Sequence, residues 1–135
     1  MIYSITHDHE NAIITLQLKG AMELNGFIRM LDEVGVKILQ TQCYDLLVDV
    51  TNLSVRLALL DLNTLPGLMQ ATLRNHRIDP AALRRAVVLP RSRNVIELHQ
   101  IFARTIGGNH KIFQNTEEAK RWLVEDNPKH PSTGN

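Results

Sequence analysis

The chain has 135 residues, 44% of them hydrophobic and 21% charged, with a formal net charge of +1. That is one domain's worth of ordinary globular composition, and it gives no global electrostatic case for nucleic-acid binding. No run of about 18 apolar residues is present to insert into a membrane, MIYSITHDHE lacks the regions of a signal peptide, and the one cysteine excludes an internal disulfide, so a cytoplasmic protein is expected.

Ile2 to His7 alternates as a strand. Asp8-His9-Glu10-Asn11 makes a turn, and Ala12 to Lys19 forms a second strand with Ile14, Leu16 and Leu18 on one face, ended by Gly20. Two strands joined by a short polar loop pair as an antiparallel hairpin. From Met22 to Gln40 the period becomes helical, with Leu24, Phe27, Ile28, Leu31, Val34 or Gly35, Ile38 and Leu39 expected inward. Leu46, Leu47, Val48 and Val50 then read as a strand buried on both faces, spanning 44–50. Between Leu57 and Arg77 a helix begins near Asp61 to Thr64, with Pro66 in its first turn and Leu65, Leu68, Met69, Thr72 and Leu73 inward. Asp79-Pro80 is a turn, and Arg85 to Pro90 a short apolar strand. A helix from about 94 to 106, capped by Ser92 or Asn94, turns Val95, Leu98, His99, Phe102 and Ile106 inward. Gly107-Gly108-Asn109 is a C-cap and turn, and Lys111 to Phe113 a last strand. Asn115 with Glu118 is a capping-box arrangement for a helix over Thr116 to Glu125 that buries Ala119, Trp122 and Leu123.

The order ββαβαβαβα predicts an α/β fold: a single mainly parallel sheet of about five strands, opening with an antiparallel hairpin and joined by right-handed crossovers. Residues 1–126 are read as one domain and 127–135 as a flexible C-terminal tail.

Charge is uneven along the chain: net −4 over residues 1–70, +6 over 71–112 and −1 over the remainder. Solvated helix faces account for this distribution, and docking or self-association is the alternative. Within the basic segment, Arg91-Ser92-Arg93-Asn94 sets two guanidiniums at a helix start, a plausible anion site. No Gly-rich loop is present to cradle a diphosphate.

Asp49 sits near a strand's C-terminal end, like the phospho-accepting aspartate of a receiver domain. Such a site needs acidic residues after the first strand and a lysine after the fifth, but here the first strand is followed by a hairpin, and Lys111 precedes the last strand instead of following it. Bonding to local backbone amides is the expected role of Asp49. His7 and His9 could put two imidazoles on one strand face, but apart from Asp8 and Glu10 no third ligand of matching type is nearby, so no metal site is assigned. Cys43 lacks a neighbouring base and reads as packing. His99 reads as a core or groove histidine, and no catalytic ordering is present.

Three stretches carry a family resemblance. They are the hairpin closed by Lys19-Gly20, the strand ending in Asp49-Val50-Thr51, and Ile112-Phe113-Gln114-Asn115-Thr116-Glu117-Glu118-Ala119-Lys120-Arg121-Trp122-Leu123. Over roughly residues 2–124 the chain resembles the SpoIIAA-like superfamily, which includes the STAS domains and bacterial anti-sigma factor antagonists. The closing stretch is similar to an uncharacterised bacterial STAS/SEC14-type group. Antagonists of this type carry a phosphorylated Ser-Ser-Gly segment after the strand corresponding to 46–50. Here that stretch reads Ser54-Val55-Arg56-Leu57-Ala58-Leu59-Leu60-Asp61, so the phosphoswitch does not carry over. Ser54, expected in a turn, and Thr64, expected to cap a helix, are the nearest hydroxyls.

The resemblance implies a non-catalytic cytosolic regulatory domain with a protein partner, with homodimerisation an option and no cofactor. The alternative is a binder of a small apolar or lipid-like ligand, with Arg91 and Arg93 on its acidic head group. In either case the ends of the parallel strands should gather Asp49, Asn52, Arg91, Ser92, Arg93 and Asn115 on one face.

Overall fold

A computed structural model describes residues 1–56, 64–106 and 109–125. The expected tail 127–135, the turn at Gly107-Gly108 and the helix start near Asp61 lie outside the described residues, as do the side chains of Phe102 and Ile106.

The strands are β1 (Ile2–Asp8), β2 (Ile13–Ala21), β3 (Asp45–Ser54), β4 (Arg84–Val88) and β5 (Asn109–Phe113). The helices are α1 (Leu24–Thr41), α2 (Leu65–Asn75), α3 (Arg93–Ile106) and α4 (Thr116–Glu125). The sheet order is β1-β2-β3-β4-β5, with β1 antiparallel to β2 and the remaining pairs parallel. Each crossover steps in the same direction across the sheet. Right-handed connections therefore put α1, α2 and α3 on one face. That face carries Ile14, Leu16, Leu18, Leu46, Val50 and Val87 against Phe27 and Val34 of α1, Leu65 and Leu73 of α2, and Val95 and Leu98 of α3. After β5 the chain turns back, and α4 packs Ala119 and Leu123 on Ile13, Leu47, Ala86 and Val88 of the opposite face.

Several boundaries shift for local reasons. β2 runs on through Gly20, which adopts φ 80° where the register with β3 shifts between Gln17 and Lys19. A glycine adopts this φ without a Cβ clash, so the strand continues through Gly20, paired with Leu53, instead of ending there. β3 extends to Ser54, beyond the expected 44–50, and Asn109 belongs to β5 instead of the preceding turn. Pro66 lies in the first turn of α2, where its missing N–H has no helical partner to lose. Asp79 accepts a 3.0 Å bond from the Ala81 N–H and starts a 3-10 turn, Pro80–Ala82. Asn115 Oδ1 accepts the Glu118 N–H at 2.9 Å and caps α4.

Burial differs from expectation in three places. In α1, Leu24, Ile28 and Leu39 are exposed, Gly26 and Met30 are buried in their place, and both Val34 and Gly35 are buried. Val48 and Trp122 are only partly buried. Every residue of β4 is buried, Arg84 and Arg85 included, so these two charges do not belong to a solvated helix face.

Candidate functional site

β3, β4 and β5 run parallel, so their C-terminal ends open on one edge of the sheet. Asp49 and Asn52 lie towards the end of β3. Arg91 and Ser92 follow β4, Arg93 opens α3, and Asn115 follows β5. Arg91, Ser92, Arg93 and Asn115 are exposed. The Asp49 carboxylate accepts the Thr51 N–H at 3.0 Å and also the Thr51 hydroxyl. Its register partners are Gln17 and Val88, and Val88 belongs to the face covered by α4. Ser92 stands at the N-cap position of α3, its carbonyl accepting the Ile96 N–H at 3.1 Å. Asn94 instead donates its side-chain amide to the Val55 carbonyl at 2.9 Å, tying α3 to the end of β3. Ser54 is not in a turn: it is the last residue of β3, and its hydroxyl donates to the Gly20 carbonyl at 3.3 Å. Thr64 is exposed at the N-cap position of α2, but its side chain makes no capping bond.

A second feature is a partly open cavity of about 130 Å³ between the sheet and α1, α2 and α3. Leu16, Leu46 and Val50 line it from the sheet, Met30 and Val34 from α1, Met69 and Leu73 from α2, and Leu98 from α3. Among the described residues its wall has two polar side chains, Arg85 of β4 and His99 of α3. Arg91 and Arg93, assigned to a ligand head group on sequence grounds, are absent from that wall; the cation in it is Arg85.

Arg85 is 7% exposed, and burial pulls its guanidinium below its ordinary pKa without discharging it. Burial, with smaller contributions from the neighbouring His110 and from Arg85, pushes the His99 imidazole down to about 4. The His99 and His110 rings meet edge-on with centroids 5.5 Å apart. His99 Nε2 and His110 Nδ1 are both buried without a hydrogen-bond partner among the described residues. In β-register, Arg85 stands between Leu46 and His110. Buried polar groups are nearly always paired, so His99 Nε2 on this wall stands out among the described residues.

Sequence reasoning missed Arg85 by counting it with the surface arginines. The signal was present: Arg85 shares strand parity with Val87, on the side covered by three helices. Its neighbour Arg84 faces the other way. Arg84 Nε and Nη2 donate to the two Asp45 carboxylate oxygens, each at 3.1 Å, and Nη2 also donates to the Leu123 carbonyl at 2.6 Å. The guanidinium lies 5.1 Å from the centre of the Trp122 ring, so Arg84 anchors α4. The Cys43 thiol is buried and donates to the Ala12 carbonyl at 3.0 Å. His7 and His9 contact each other edge-on at 5.6 Å. Among the described residues no helix is long and apolar enough to cross a membrane.

No protein-family model matches the chain, and no curated protein does. The solved structures similar to it include two with a SpoIIAA-like fold. One is the anti-sigma factor antagonist SpoIIAA in its unphosphorylated form, with TM-score 0.61 and 16% identity, covering 91% of this chain and 96% of that one. The other is an uncharacterised DUF3478-family protein with a SpoIIAA-like fold from Shewanella loihica PV-4, with TM-score 0.55 and 17% identity, covering 90% and 92%. The fold is SpoIIAA-like, as the element order and the closing strand and helix imply.

Proposed function

We propose that the chain is a non-catalytic cytosolic regulatory domain that acts by binding another protein. Its contact face is the C-terminal edge of the parallel strands, around Asp49, Asn52, Arg91, Ser92, Arg93 and Asn115. The observation that carries this reading is the likeness, over nine-tenths of both chains, to a protein described as an anti-sigma factor antagonist. The exposed guanidiniums of Arg91 and Arg93 support an acidic partner, because surface charge of one sign steers encounter with the other. Exposed Leu24, Ile28, Val36 and Leu39 on α1 offer a second surface, through which two copies could associate.

The test is quantitative affinity purification from the native cell with two double variants. Arg91→Glu with Arg93→Glu should lose the specific partner while keeping the wild-type melting temperature. Leu24→Glu with Ile28→Glu should retain it. The opposite pattern moves the contact to α1, and retention by both removes the proposed face. Intact-mass analysis of the same preparations should show no one-phosphate increment at Ser54 or Thr64. A dominant phosphorylated species there would replace this reading with a phosphoswitch.

A further inference from the structure

β1 is the outermost strand of the sheet. It bonds to β2 on one side, and among the described residues no backbone bond reaches its other side. We infer that this free edge pairs with the same edge of a second copy of the chain, antiparallel about a two-fold axis normal to the sheet at Ile5, and joins two five-stranded sheets into one. The inference is independent of the contact face proposed above, which lies at the strand ends.

An open edge presents unpaired N–H and C=O groups, and natural proteins blunt it with short strands, lysines, prolines or bulges. The two edges of this sheet differ in that respect. β5 has five residues with Lys111 in its middle. β1 has seven residues without lysine, arginine or proline, and its register with β2 runs unbroken from Ile2 to Asp8. Its carboxylate, Asp8, stands at the end and is held by Asn11 at 2.8 Å and by Lys120 at 3.4 Å. Ile2, at the other end, is 73% exposed. Such an edge is a template for another strand.

Charge selects a second copy as that strand's source. Tyr3 lies beside Arg29 and Glu33 of α1, and Ile5 shares a surface depression with Glu33 and Lys37. The flank of α1 over β1 therefore carries one acid and one base at the height of Ile5. An axis at Ile5, the midpoint of β1, pairs the whole strand: Ile5 with Ile5, Ser4 with Thr6 and Tyr3 with His7 of the second copy. The same axis reverses α1, so Glu33 of each copy is set towards Lys37 of the other, and opposite charges meet twice. On the other sheet face the exposed Ser4 and Thr6 hydroxyls stand opposite each other, a favourable cross-strand pair. Leu24 and Ile28 lie outside this contact. Their four-residue spacing continues to Asp32, which meets His76 on the α2 side.

The experiment is sedimentation equilibrium of the full chain, with amide exchange followed by NMR. The wild type should form a reversible dimer. The amides of β1 that point away from β2 should slow as concentration rises, and the outward amides of β5 should not. Ser4→Lys with Thr6→Lys puts like charges opposite each other in the dimer but in solvent in the monomer, so it should give a monomer with a cooperative thermal transition. Glu33→Lys should weaken dimerisation about tenfold, because two attractive pairs become repulsive, and Glu33→Lys with Lys37→Glu should restore it. Leu24→Glu with Ile28→Glu should leave it unchanged. The inference is overturned if the wild type stays monomeric up to about 1 mM. It is also overturned if the Ser4 and Thr6 variant dimerises like the wild type, if the Leu24 and Ile28 variant does not, or if the double charge swap fails to recover what Glu33→Lys loses. A monomer whose β1 amides slow only when cell extract is added gives the edge to another protein and removes the second copy as its occupant.

Discussion

His99 shows how one side chain changes meaning once its surroundings are known. Its helical spacing puts it on the apolar side of α3, and the structure makes it part of a cavity wall with His110 on β5 and Arg85 on β4 facing it. Arg85 is a cation, and both it and His110 act electrostatically against a proton on His99, so neither neighbour favours an imidazolium. With a pKa of about 4 folded against an ordinary 6.5, the unfolded chain takes up the proton first. The His99 contribution is therefore complete above pH 6.5 and is lost as pH falls from 6.5 towards 4. Its ceiling is about 3 kcal/mol, lowered by the residual solvent contact of a half-buried ring. Urea unfolding at neutral pH and near pH 4.5 should show a steeper acid loss in the wild type than in His99→Leu. Equal losses would mean that the imidazole is solvated in the native state.

At the scale of elements, local patterning placed the hairpin, the helix–strand alternation and the bounds of α4, because those signals are contained within each segment. It placed the centre of the inward stripe of α1 (Phe27, Leu31, Val34 or Gly35, Ile38) but not its edges. Apolar residues surround much of that helix, and the edges of the stripe depend on contacts with residues far along the chain. At Gly35 a Cβ would lie 2.4 Å from the His76 ring, and His76 Nε2 meets Asp32 Oδ1 at 2.8 Å. That close approach to the end of α2 helps fix the rotation of α1 and leaves Leu24, Ile28 and Leu39 outward. The pairing of Arg84 was illegible for a related reason. A strand pattern assigns parity, but only the partner across the sheet reveals that Arg84 meets Asp45. Removing one member of such a buried pair strands the other charge. Arg84→Ala should therefore cost about 3–5 kcal/mol and free α4, whereas Arg84→Met with Asp45→Leu should recover most of that loss. Chemical denaturation gives the energies, and Trp122 fluorescence reports the docking of α4 directly. If the double variant is no more stable than the single, the pair is not what holds the helix.

On the scale of the whole molecule, β4 joins the two layers. Val87 belongs to the core under α1, α2 and α3, and Val88 to the core under α4. The sequence order demanded this centre: three crossovers stepping one way put three helices on one face and leave the other to the last helix. What periodicity could not weigh was how much depends on one strand of five residues. Val88 is 1% exposed, between strands on both sides and beneath Ala119 and Leu123. A carboxylate at this position would be buried without a partner and would also part α4 from the sheet. A domain of this size has a total stability of about 5–15 kcal/mol, which such a defect consumes in large part. Val88→Asp should thus prevent folding, read as loss of the cooperative thermal transition and of dispersed amide signals. Val36→Asp, on the exposed side of α1, should change stability by no more than about 0.5 kcal/mol. A Val88→Asp protein that melts like the wild type would mean that β4 is not the strand joining the two cores.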